Sequence, residues 1–508
     1  MTALHRPDAA TAVPPASAVP DSLARETLPI VAPSGFREYD ARWLYPEQLN
    51  LVGAQALGRG LGTLVRELGA APDIVVGHDY RSYSAAVKLA LVTGLIEAGL
   101  RVRDIGLALS PTAYFAQFAL DCACVAMVTA SHNENGWTGV KMGAERPLTF
   151  GPEEMARLKA IVGADAGISR PGGSYERVAD MRERYLSDLL ARPRLRRRLK
   201  VVAACGNGTA GAFAPDLLEG LGCEVVRLDC DLDHSFPRYN PNPEDLAMLH
   251  AMADAVRASG ADLALGFDGD GDRCGVVDEA GGEIFSDKVG ALLARDLSRD
   301  RPGVTVVVDV KSTALFATDP VLRSRGVVAD YWKTGHSHIK RRVSALGALA
   351  GFEKSGHFFF GPPIGRGYDD GLLTAVAILE MLDRNPGRSL SDLYRELPRT
   401  FGSPTMSPGC ADAVKYDVVS RVTARIEALR DGGGAIAGEA IRDVVTVNGV
   451  RVTMADGTWG LVRASSNKPE LVVVVESPVS EERLRATFAA LDGLLRENPE
   501  VGAYNQAL

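Results

Sequence analysis

A serine and a lysine follow one short apolar segment of the chain. Ser131 stands in Thr-Ala-Ser-His-Asn at 129–133, directly after the buried-looking run 125–128, and Lys141 follows in the next apolar stretch. A serine just past a strand end, with a histidine beside it and a cation nearby, has the composition of a nucleophile in an electropositive loop. A polar turn that caps backbone amides is the alternative. A Ser-His-Asp hydrolase is disfavoured because no Gly-x-Ser-x-Gly elbow surrounds Ser131.

A second loop places three carboxylates on alternate positions. The sequence Asp-Gly-Asp-Gly-Asp-Arg at 268–273 stands between the apolar segments 263–267 and 274–277. Glycines let the backbone fold tightly between the acids, and carboxylate oxygens are ligands that Mg²⁺ prefers. A metal-free turn would have to hold three like charges close together. We therefore interpret Asp268, Asp270 and Asp272 as a magnesium site.

A calcium-binding EF-hand loop is a competing interpretation of the same residues. Glu279 stands twelfth when Asp268 is counted as the first position. The pattern fails at the sixth position, where Arg273 replaces the required glycine, and the flanks are typical of strands rather than helices. A non-catalytic calcium-binding protein is the alternative from a different functional class.

Two further loops carry side chains suited to a phosphorylated sugar. In Gly-Phe-Glu-Lys-Ser-Gly-His at 351–357, Glu353 and Ser355 would face one side of an extended segment, where they could hold two sugar hydroxyls. In Arg-Ala-Ser-Ser-Asn-Lys-Pro at 463–469, a guanidinium, two hydroxyls and exposed amides could grip a phosphate. Each loop alone is also typical of a polar turn.

Short β-branched segments alternate with helical patterns through most of the chain. Strand-like runs begin near residues 73, 102, 124, 200, 224, 262 and 304, and helical patterns cover 85–98 and 372–382. This alternation predicts three α/β units. Closer strands at 444–447, 450–454, 459–463 and 471–476, joined by Asn-Gly and Asp-Gly turns and followed by a helix over 481–495, predict a smaller antiparallel α+β domain.

The predicted organisation assigns each candidate loop to its own domain. A flexible tail covers 1–33, domain I covers 34–175 with the serine loop, and domain II covers 176–283 with the metal loop. Domain III covers 284–397 with the sugar-recognition loop, and domain IV covers 398–508 with the phosphate-binding loop.

Composition restricts the partners and the compartment. The formal net charge of -8 provides no broad cationic field, which disfavours nucleic acid and anionic membranes as partners. Seven scattered cysteines do not resemble a disulfide framework and are typical of a reducing compartment. No apolar run approaches the length that crosses a bilayer, and residues 1–33 lack the apolar core of a signal peptide. We expect a cytoplasmic protein.

Taken together and in this order, the four loops resemble the α-D-phosphohexomutase family, and most closely its bacterial phosphomannomutase/phosphoglucomutase branch. The resemblance covers about residues 35–478 and includes Phe-Arg-Glu-Tyr-Asp-Ala-Arg at 36–42, Val-Gly-His-Asp-Tyr-Arg-Ser at 76–82, Asp-Val-Lys at 309–311 and Lys-Thr-Gly-His at 333–336. It implies an α/β protein with three related mixed α/β domains plus a smaller C-terminal antiparallel α+β domain around a central cleft.

The resemblance also implies an activity. Ser131 would be a phosphoserine that donates its phosphoryl group to a hexose phosphate, and the resulting 1,6-bisphosphate would return its other phosphate to the serine. Members of this branch are isomerases that interconvert the 6- and 1-phosphates of mannose and of glucose, and phosphoglucosamine mutase is the alternative within the family. We expect a monomer with one Mg²⁺ per chain and glucose 1,6-bisphosphate as activator and intermediate.

Residue roles follow from the same resemblance. The implied metal ligands are Ser131, Asp268, Asp270 and Asp272. The implied catalytic residues, which neutralise charge on the transferred group or move a proton, are Ser131, His132, Lys141, Arg273 and His336. The implied substrate-binding residues are Tyr39, Arg42, Lys311, Glu353, Ser355, His357, Arg463, Ser465, Ser466 and Asn467. Lys141 and His336 are both candidates for the general acid and base.

Overall fold

The computed structural model describes residues 27–192, 194–506 and 508. Most of the predicted flexible tail, residues 1–33, therefore lies outside the described residues. Within its last part Ile30 and Val31 are buried, and the backbone N–H of Ile30 donates to Asn50 Oδ1 at 3.0 Å. The chain divides into two units, of which the first contains the residues up to Ile284 and Ser355–Ser391, and the second contains Phe285–Lys354 and Asp392–Leu508.

The first unit begins with a mixed six-stranded sheet. Its strands are β1 Ala41–Leu44, β2 Asp73–His78, β3 Arg101–Leu107, β4 Cys124–Val128, β5 Trp137–Gly143 and β6 Ser174–Arg177, in the order β1-β5-β4-β2-β3-β6. The accompanying helices are α1 Leu51–Glu67, α2 Ser84–Glu97, α3 Ser110–Ala119, α4 Pro152–Gly163 and α5 Met181–Leu190. Every residue of β4 is buried, as expected for a continuous apolar strand inside a sheet covered on both faces. The antiparallel pairing of β4 with β5 sets Lys141 opposite Met127, close to the serine loop.

A second, five-stranded sheet follows in the same unit. Its elements are β7 Lys200–Ala204, α6 Ala214–Gly220, β8 Glu224–Leu228, α7 Leu246–Ser259, β9 Leu263–Phe267, β10 Cys274–Asp278 and β11 Glu283–Ile284, with the strand order β11-β10-β9-β7-β8. Strands β9 and β10 pair antiparallel, with Phe267 opposite Cys274. The connection between them is the acidic loop 268–273, so two fully buried strands fix both of its ends.

The next part of the chain supplies elements to both units. In chain order these are α8 Ser286–Leu297, β12 Thr305–Asp309, α9 Leu315–Thr318, α10 Pro320–Ser324, β13 Val328–Trp332, α11 His336–Leu346, β14 Ala350–Phe352, β15 Phe358–Phe360, α12 Gly371–Arg384 and α13 Leu390–Arg395. Strand β12 pairs in parallel with β13 and with β14, all in the second unit. Strand β15 and helix α12 belong to the first unit.

The second unit ends in an antiparallel six-stranded sheet. Its elements are β16 Phe401–Gly402, α14 Lys415–Asp431, β17 Ala435–Ile436, β18 Glu439–Val445, β19 Val450–Met454, β20 Trp459–Ala464, β21 Leu471–Ser477 and α15 Glu481–Arg496, with the strand order β16-β21-β20-β19-β18-β17. Helices α14 and α15 cover one apolar face, where Val418, Val422 and Ile426 join Leu491 and Leu495 in one core. Helix α14 was not predicted, and β18 begins five residues before the predicted strand.

The predicted fold class, α/β domains followed by a smaller antiparallel α+β domain, is confirmed. The domain boundaries at 175, 283 and 397 stay predictions. All seven cysteines are free, and six of them are buried. Among the described helices, none is both long and apolar enough to cross a membrane.

A buried ion pair joins α8 to the last sheet within the second unit. The ammonium of Lys288 contacts Glu476 on β21, and the same carboxylate accepts hydrogen bonds from Ala314 N at 2.9 Å and Trp459 Nε1 at 3.0 Å. Burial opposes ionisation of Glu476, but the charge of Lys288 and these hydrogen bonds outweigh it and lower its pKa to about 2. The pair therefore stabilises the fold only while Glu476 is ionised.

Replacing Lys288 with methionine would leave the Glu476 carboxylate buried without its cation. We expect K288M to lower the free energy of unfolding by about 3–5 kcal/mol, measured by urea denaturation at pH 7. Since an unfolded glutamate titrates near about 4.3, the contribution of Glu476 is fully present above that pH and is lost as the pH falls towards 2. The wild type should therefore lose more stability than K288M between pH 5 and pH 2. The control is K159M at an exposed lysine, and equal stability of K288M and the control would contradict the prediction.

Candidate active site

The candidate nucleophile stands at the end of a buried strand in a rare backbone conformation. Ser131 follows β4, is 3% exposed and has a φ of 52°, in the left-handed region that non-glycine residues seldom adopt. Its Oγ donates to Asp268 Oδ2 at 3.0 Å and lies 3.4 Å from His132 Nδ1. Such a strained residue persists only where its surroundings over-determine it, and these positions are common at functional sites.

Two charged residues after β2 hold the serine loop in this shape. Asp79 Oδ2 accepts from Thr129 Oγ1 at 2.8 Å and from Ala130 N at 3.2 Å. The Arg81 guanidinium donates to the carbonyl oxygens of Ser131, Asn133 and Glu134 at 3.0, 2.6 and 3.1 Å. Sequence reasoning noted the segment 76–82 for its resemblance but assigned no role to Asp79 or Arg81. The available signal was an Asp-x-Arg pattern directly after a buried strand.

The three aspartates of the acidic loop converge in the interior. Asp268, Asp270 and Asp272 are all fully buried, and one oxygen of each lies within 4.8 Å of the others. Lys141 Nζ, also buried, donates to Asp270 Oδ2 at 2.7 Å and contacts Asp272. Ser110, at the start of α3, donates to Asp270 Oδ2 at 2.6 Å and was missed from the sequence.

Titration of this cluster reflects its excess of negative charge. Burial, with the neighbouring charges of Asp272 and Asp270, raises the pKa of Asp268 well above its ordinary value. Burial also opposes ionisation of Asp270 and Asp272, but the ammonium of Lys141 lowers the pKa of both carboxyls. The pKa of Lys141 is raised well above its ordinary value because Asp270 and Asp272 outweigh its burial. Lys141 is therefore a cation in this arrangement.

The acidic cluster fits a small hard cation. Asp270 Oδ1 is buried and has no hydrogen-bond partner among the described residues, so an acceptor is left for a ligand. Carboxylate oxygens are the donors that Mg²⁺ takes. Glycine at position 269 allows the close approach of the two loops, because an added Cβ would lie 2.5 Å from Ser131 O.

Arg273, Ser355 and His357 adjoin the acidic cluster within the first unit. Arg273 Nε donates to His357 Nε2 at 3.4 Å, and its Nη1 lies 3.3 Å from Glu244 Oε2. His357 Nε2 also lies 3.3 Å from Asp272 Oδ1, and His357 Nδ1 lies 3.0 Å from Ser355 Oγ. The hydroxyl of Ser355 is therefore linked to the metal-ligand candidates through one imidazole.

The entry segment contributes a contact to the serine loop. Arg42 Nη1 donates to Thr129 O at 2.7 Å, and its Nη2 lies 2.9 Å from Asp40 Oδ2. Tyr39 is buried at 5% exposure in the same segment. Arg42 therefore supports the loop that carries Ser131 in addition to any role with substrate.

Within the second unit, Asp309 at the end of β12 contacts three residues, of which Lys311 is a predicted site residue. Its carboxylate accepts from Thr334 Oγ1 at 3.0 Å and from the backbone N–H of Lys354 at 3.3 Å, and it lies 4.0 Å from Lys311 Nζ. Burial raises the pKa of Asp309. The negative charge of Glu353 raises this pKa further, while the positive charge of Lys311 lowers it without cancelling the rise. Glu353 Oε1 accepts from Gly335 N at 2.5 Å, directly before His336 at the start of α11.

The phosphate-loop arginine lies beside Asn448, which sequence analysis treated only as a turn residue. Arg463 Nη1 donates to Asn448 Oδ1 at 3.3 Å and to Ala464 O at 2.8 Å, and Thr334 N donates to the same Asn448 oxygen at 3.3 Å. Arg463 Nε is buried and has no partner within the part of the chain that the structure describes. A buried guanidinium with a donor to spare is suited to an anion.

The predicted residues fall into two groups. The first unit brings together Ser131, His132, Lys141, Asp268, Asp270, Asp272, Arg273, Ser355 and His357, with Tyr39 and Arg42 in its entry segment. The second unit contains Lys311, His336, Glu353, Arg463, Ser465, Ser466 and Asn467. The acidic loop is flanked by strands, and Glu279 accepts a hydrogen bond from Ser391 Oγ, neither of which fits an EF-hand.

Four family models match the chain in sequence. They are phosphoglucomutase/phosphomannomutase alpha/beta/alpha domain I at residues 33–167, domain II at 183–282, domain III at 285–401 and the C-terminal domain at 416–494.

Individual relatives match almost the whole chain. A phosphomannomutase/phosphoglucomutase of Pseudomonas putida is 34% identical over 466 residues, which cover 92% of this chain and 96% of that protein. A phosphoglucomutase of Neisseria meningitidis is 32% identical over 471 residues, covering 92% and 97%. The crystal structure of a phosphoglucomutase/phosphomannomutase family protein from Burkholderia thailandensis superposes with a TM-score of 0.82 at 31% identity, covering 92% of this chain and 98% of that one.

Gly269→Ala tests whether the serine loop and the acidic loop must meet closely. The added methyl group would lie 2.5 Å from Ser131 O, and such overpacking costs about 1–3 kcal/mol. We expect Mg²⁺ affinity to fall by roughly tenfold in isothermal titration, since about 1.4 kcal/mol is a factor of ten. Gly163→Ala is the control because nothing lies within 4 Å of its added Cβ. Equal Mg²⁺ affinities of the two variants would contradict the prediction.

Proposed function

This chain belongs to the phosphoglucomutase/phosphomannomutase family, and we propose that it interconverts the 6-phosphates and 1-phosphates of mannose and of glucose through a phosphorylated Ser131. The observation that carries the proposal is the 3.0 Å contact between Ser131 Oγ and Asp268 Oδ2 at the rim of a buried carboxylate cluster. A serine hydroxyl held against candidate metal ligands suits phosphoryl transfer better than hydrolysis of an acyl group.

Asp268, Asp270 and Asp272 would hold Mg²⁺, with Ser131 as the fourth ligand. When bound, Mg²⁺ supplies neutralisation of the charge on the transferred phosphoryl group. Lys141 balances two of the three carboxylates with its ammonium. His132, whose Nδ1 lies 3.4 Å from Ser131 Oγ, and Arg273, whose Nε lies 3.8 Å from Asp268 Oδ2, would add further donors.

The reaction consists of two phosphoryl transfers in opposite directions. In the first, the bond between phosphorus and the Ser131 oxygen breaks as a sugar hydroxyl oxygen bonds to phosphorus, and the hydroxyl proton passes to a base. The product is a 1,6-bisphosphate, which matches glucose 1,6-bisphosphate as the expected activator. After the bisphosphate reverses its orientation, its other phosphoryl group returns to Ser131 and a proton returns to the sugar oxygen.

Substrate recognition divides between sugar and phosphate contacts. Glu353 and Ser355 would hold the 3- and 4-hydroxyls, so neither contact discriminates mannose from glucose at carbon 2. Arg463, with Ser465, Ser466 and Asn467, would bind the phosphate that is not reacting. Arg463 Nε has no hydrogen-bond partner among the described residues, which supports this role. Tyr39, Arg42, Lys311 and His357 would complete the contacts. Because either end of the bisphosphate reacts in turn, one phosphate site must accept both ends.

We also propose a cellular compartment and an oligomeric state. Free cysteines throughout the chain are typical of a reducing compartment, so we assign the protein to the cytoplasm, acting there as a monomer on a phosphorylated hexose.

Intact-mass measurement of the purified chain, before and after glucose 1,6-bisphosphate, tests the phosphoenzyme directly. We expect one phosphate to be gained and to map to Ser131, because its hydroxyl lies 3.0 Å from Asp268. Ser131→Ala should carry no phosphate and should lose turnover. The wild type should turn over mannose 1-phosphate and glucose 1-phosphate faster than glucosamine 1-phosphate. A wild-type chain that carries no phosphate either before or after the bisphosphate would defeat the proposal.

Lys141→Ala and His336→Ala test the two candidates for proton transfer. Removal of a general acid or base lowers turnover by roughly 10²–10⁴-fold, and we expect at least one variant to show such a loss in kcat. Lys159→Ala, at an exposed lysine on α4, is the control for removal of a positive charge. The assignment fails if both site variants retain the kcat of this control.

A further inference from the structure

The phosphate-binding loop, residues 463–469, contacts the buried Lys415. Lys415 is the first residue of α14 and is 4% exposed. Its Nζ donates to Ser465 O at 2.6 Å, to Lys468 O at 3.1 Å and to Asp412 Oδ1 at 2.7 Å. All three ammonium protons therefore have acceptors, and two of these acceptors are carbonyls of the phosphate-binding loop.

The position of this lysine is unfavourable for its own helix. The N-terminus of a helix carries a partial positive charge, so a cation in the first turn is repelled by it. Val414, the N-cap residue, makes no side-chain hydrogen bond to this end of α14. Lys415 does not improve the helix, and its favourable contacts are with Asp412 and with the loop.

The two loop carbonyls are acceptors that would otherwise oppose an anion. A turn binds phosphate when its N–H groups point at the ligand, and a carbonyl turned the same way would repel the phosphate oxygens. The carbonyls of Ser465 and Lys468 accept hydrogen bonds from the Lys415 ammonium, so they are not free to turn towards a bound phosphate. Further bonds from Lys468 N to Ser465 Oγ at 3.2 Å and from Glu470 N to Lys468 O at 2.9 Å fix the same turn.

We infer that Lys415 is a positioning residue for the phosphate-binding loop: by holding the carbonyls of Ser465 and Lys468, it fixes the loop in the conformation that binds the substrate's non-reacting phosphate. The inference rests on the proposed function for the identity of that phosphate. Contact with a non-reacting group is equally strong in ground state and transition state, and loss of such uniform binding raises KM while kcat is retained.

The test replaces Lys415 with methionine, which keeps most of the side-chain volume without the donors. We expect K415M to raise KM for both mannose 1-phosphate and glucose 1-phosphate by about tenfold or more, with kcat within about threefold of the wild type. The affinity for inorganic phosphate, titrated calorimetrically without Mg²⁺, should fall by a similar factor. K415R, whose guanidinium can donate to both carbonyls, should restore KM to within about threefold.

The control variant is measured in the same KM and phosphate-affinity assays. K159M removes an exposed lysine and should match the wild type in KM and in phosphate affinity. A folded K415M with unchanged KM and phosphate affinity, or with lowered kcat at unchanged KM, would overturn the inference. If K415M does not fold, K415Q decides, because its shorter side chain cannot reach both carbonyls: a raised KM with retained kcat supports the inference, and an unchanged KM refutes it.

The phosphate titration separates this inference from the proposed function. If the wild type turns over neither sugar phosphate, the proposed function fails. The inference is still decided by inorganic phosphate, because a tenfold loss of affinity in K415M supports it and equal affinities of K415M and the wild type refute it.

Discussion

Burial of three like charges, Asp268, Asp270 and Asp272, within 4.8 Å of one another is the constraint around which the first unit is arranged. Such a cluster is unfavourable unless cations and donors compensate it. Lys141 from β5 provides the ammonium, and Ser110 at the start of α3 provides a hydroxyl. The strand pairing that sets Lys141 beside the serine loop thus also balances the acidic loop. Ser131, Lys141 and the three carboxylates therefore form one electrostatic unit.

In the second unit, two buried cations hold backbone carbonyls. Arg451 on β19 stacks 3.6 Å from the Trp459 ring and donates to Val310 O and Ser312 O at 2.7 and 2.8 Å, on either side of Lys311. Lys415 holds two carbonyls of the phosphate-binding loop in the same manner. In both cases a cation on a helix or strand holds the carbonyls of a loop, so the shape of the loop depends on the packing of the second unit.

Sequence reasoning was most informative where residue chemistry and local pattern coincide. The alternating acids and glycines at 268–273 and the apolar run before Ser131 identified two loops, and their burial and proximity in the structure fit that interpretation. Sequence reasoning did not identify four supporting residues, because each acts through contacts distant in sequence. They are Asp79, Arg81, Ser110 and Lys415. Helix α14 was not predicted because its buried positions, such as Val418 and Val422, are few among many polar residues. Pairing across the fold carries information that composition and spacing do not contain.

Side-chain hydrogen bonds hold two backbone amides of the serine loop, so opening of the loop can be measured without any substrate. The amide of Ala130 donates to Asp79 and the amide of Ser131 donates to Thr129 Oγ1, whereas the amide of Thr129 belongs to the sheet through Gly139 O. Hydrogen–deuterium exchange at the first two amides therefore reports on opening of the loop, and exchange at the third reports on opening of the sheet. Three consecutive backbone positions thus provide an internal comparison of site mobility and scaffold mobility in the resting protein.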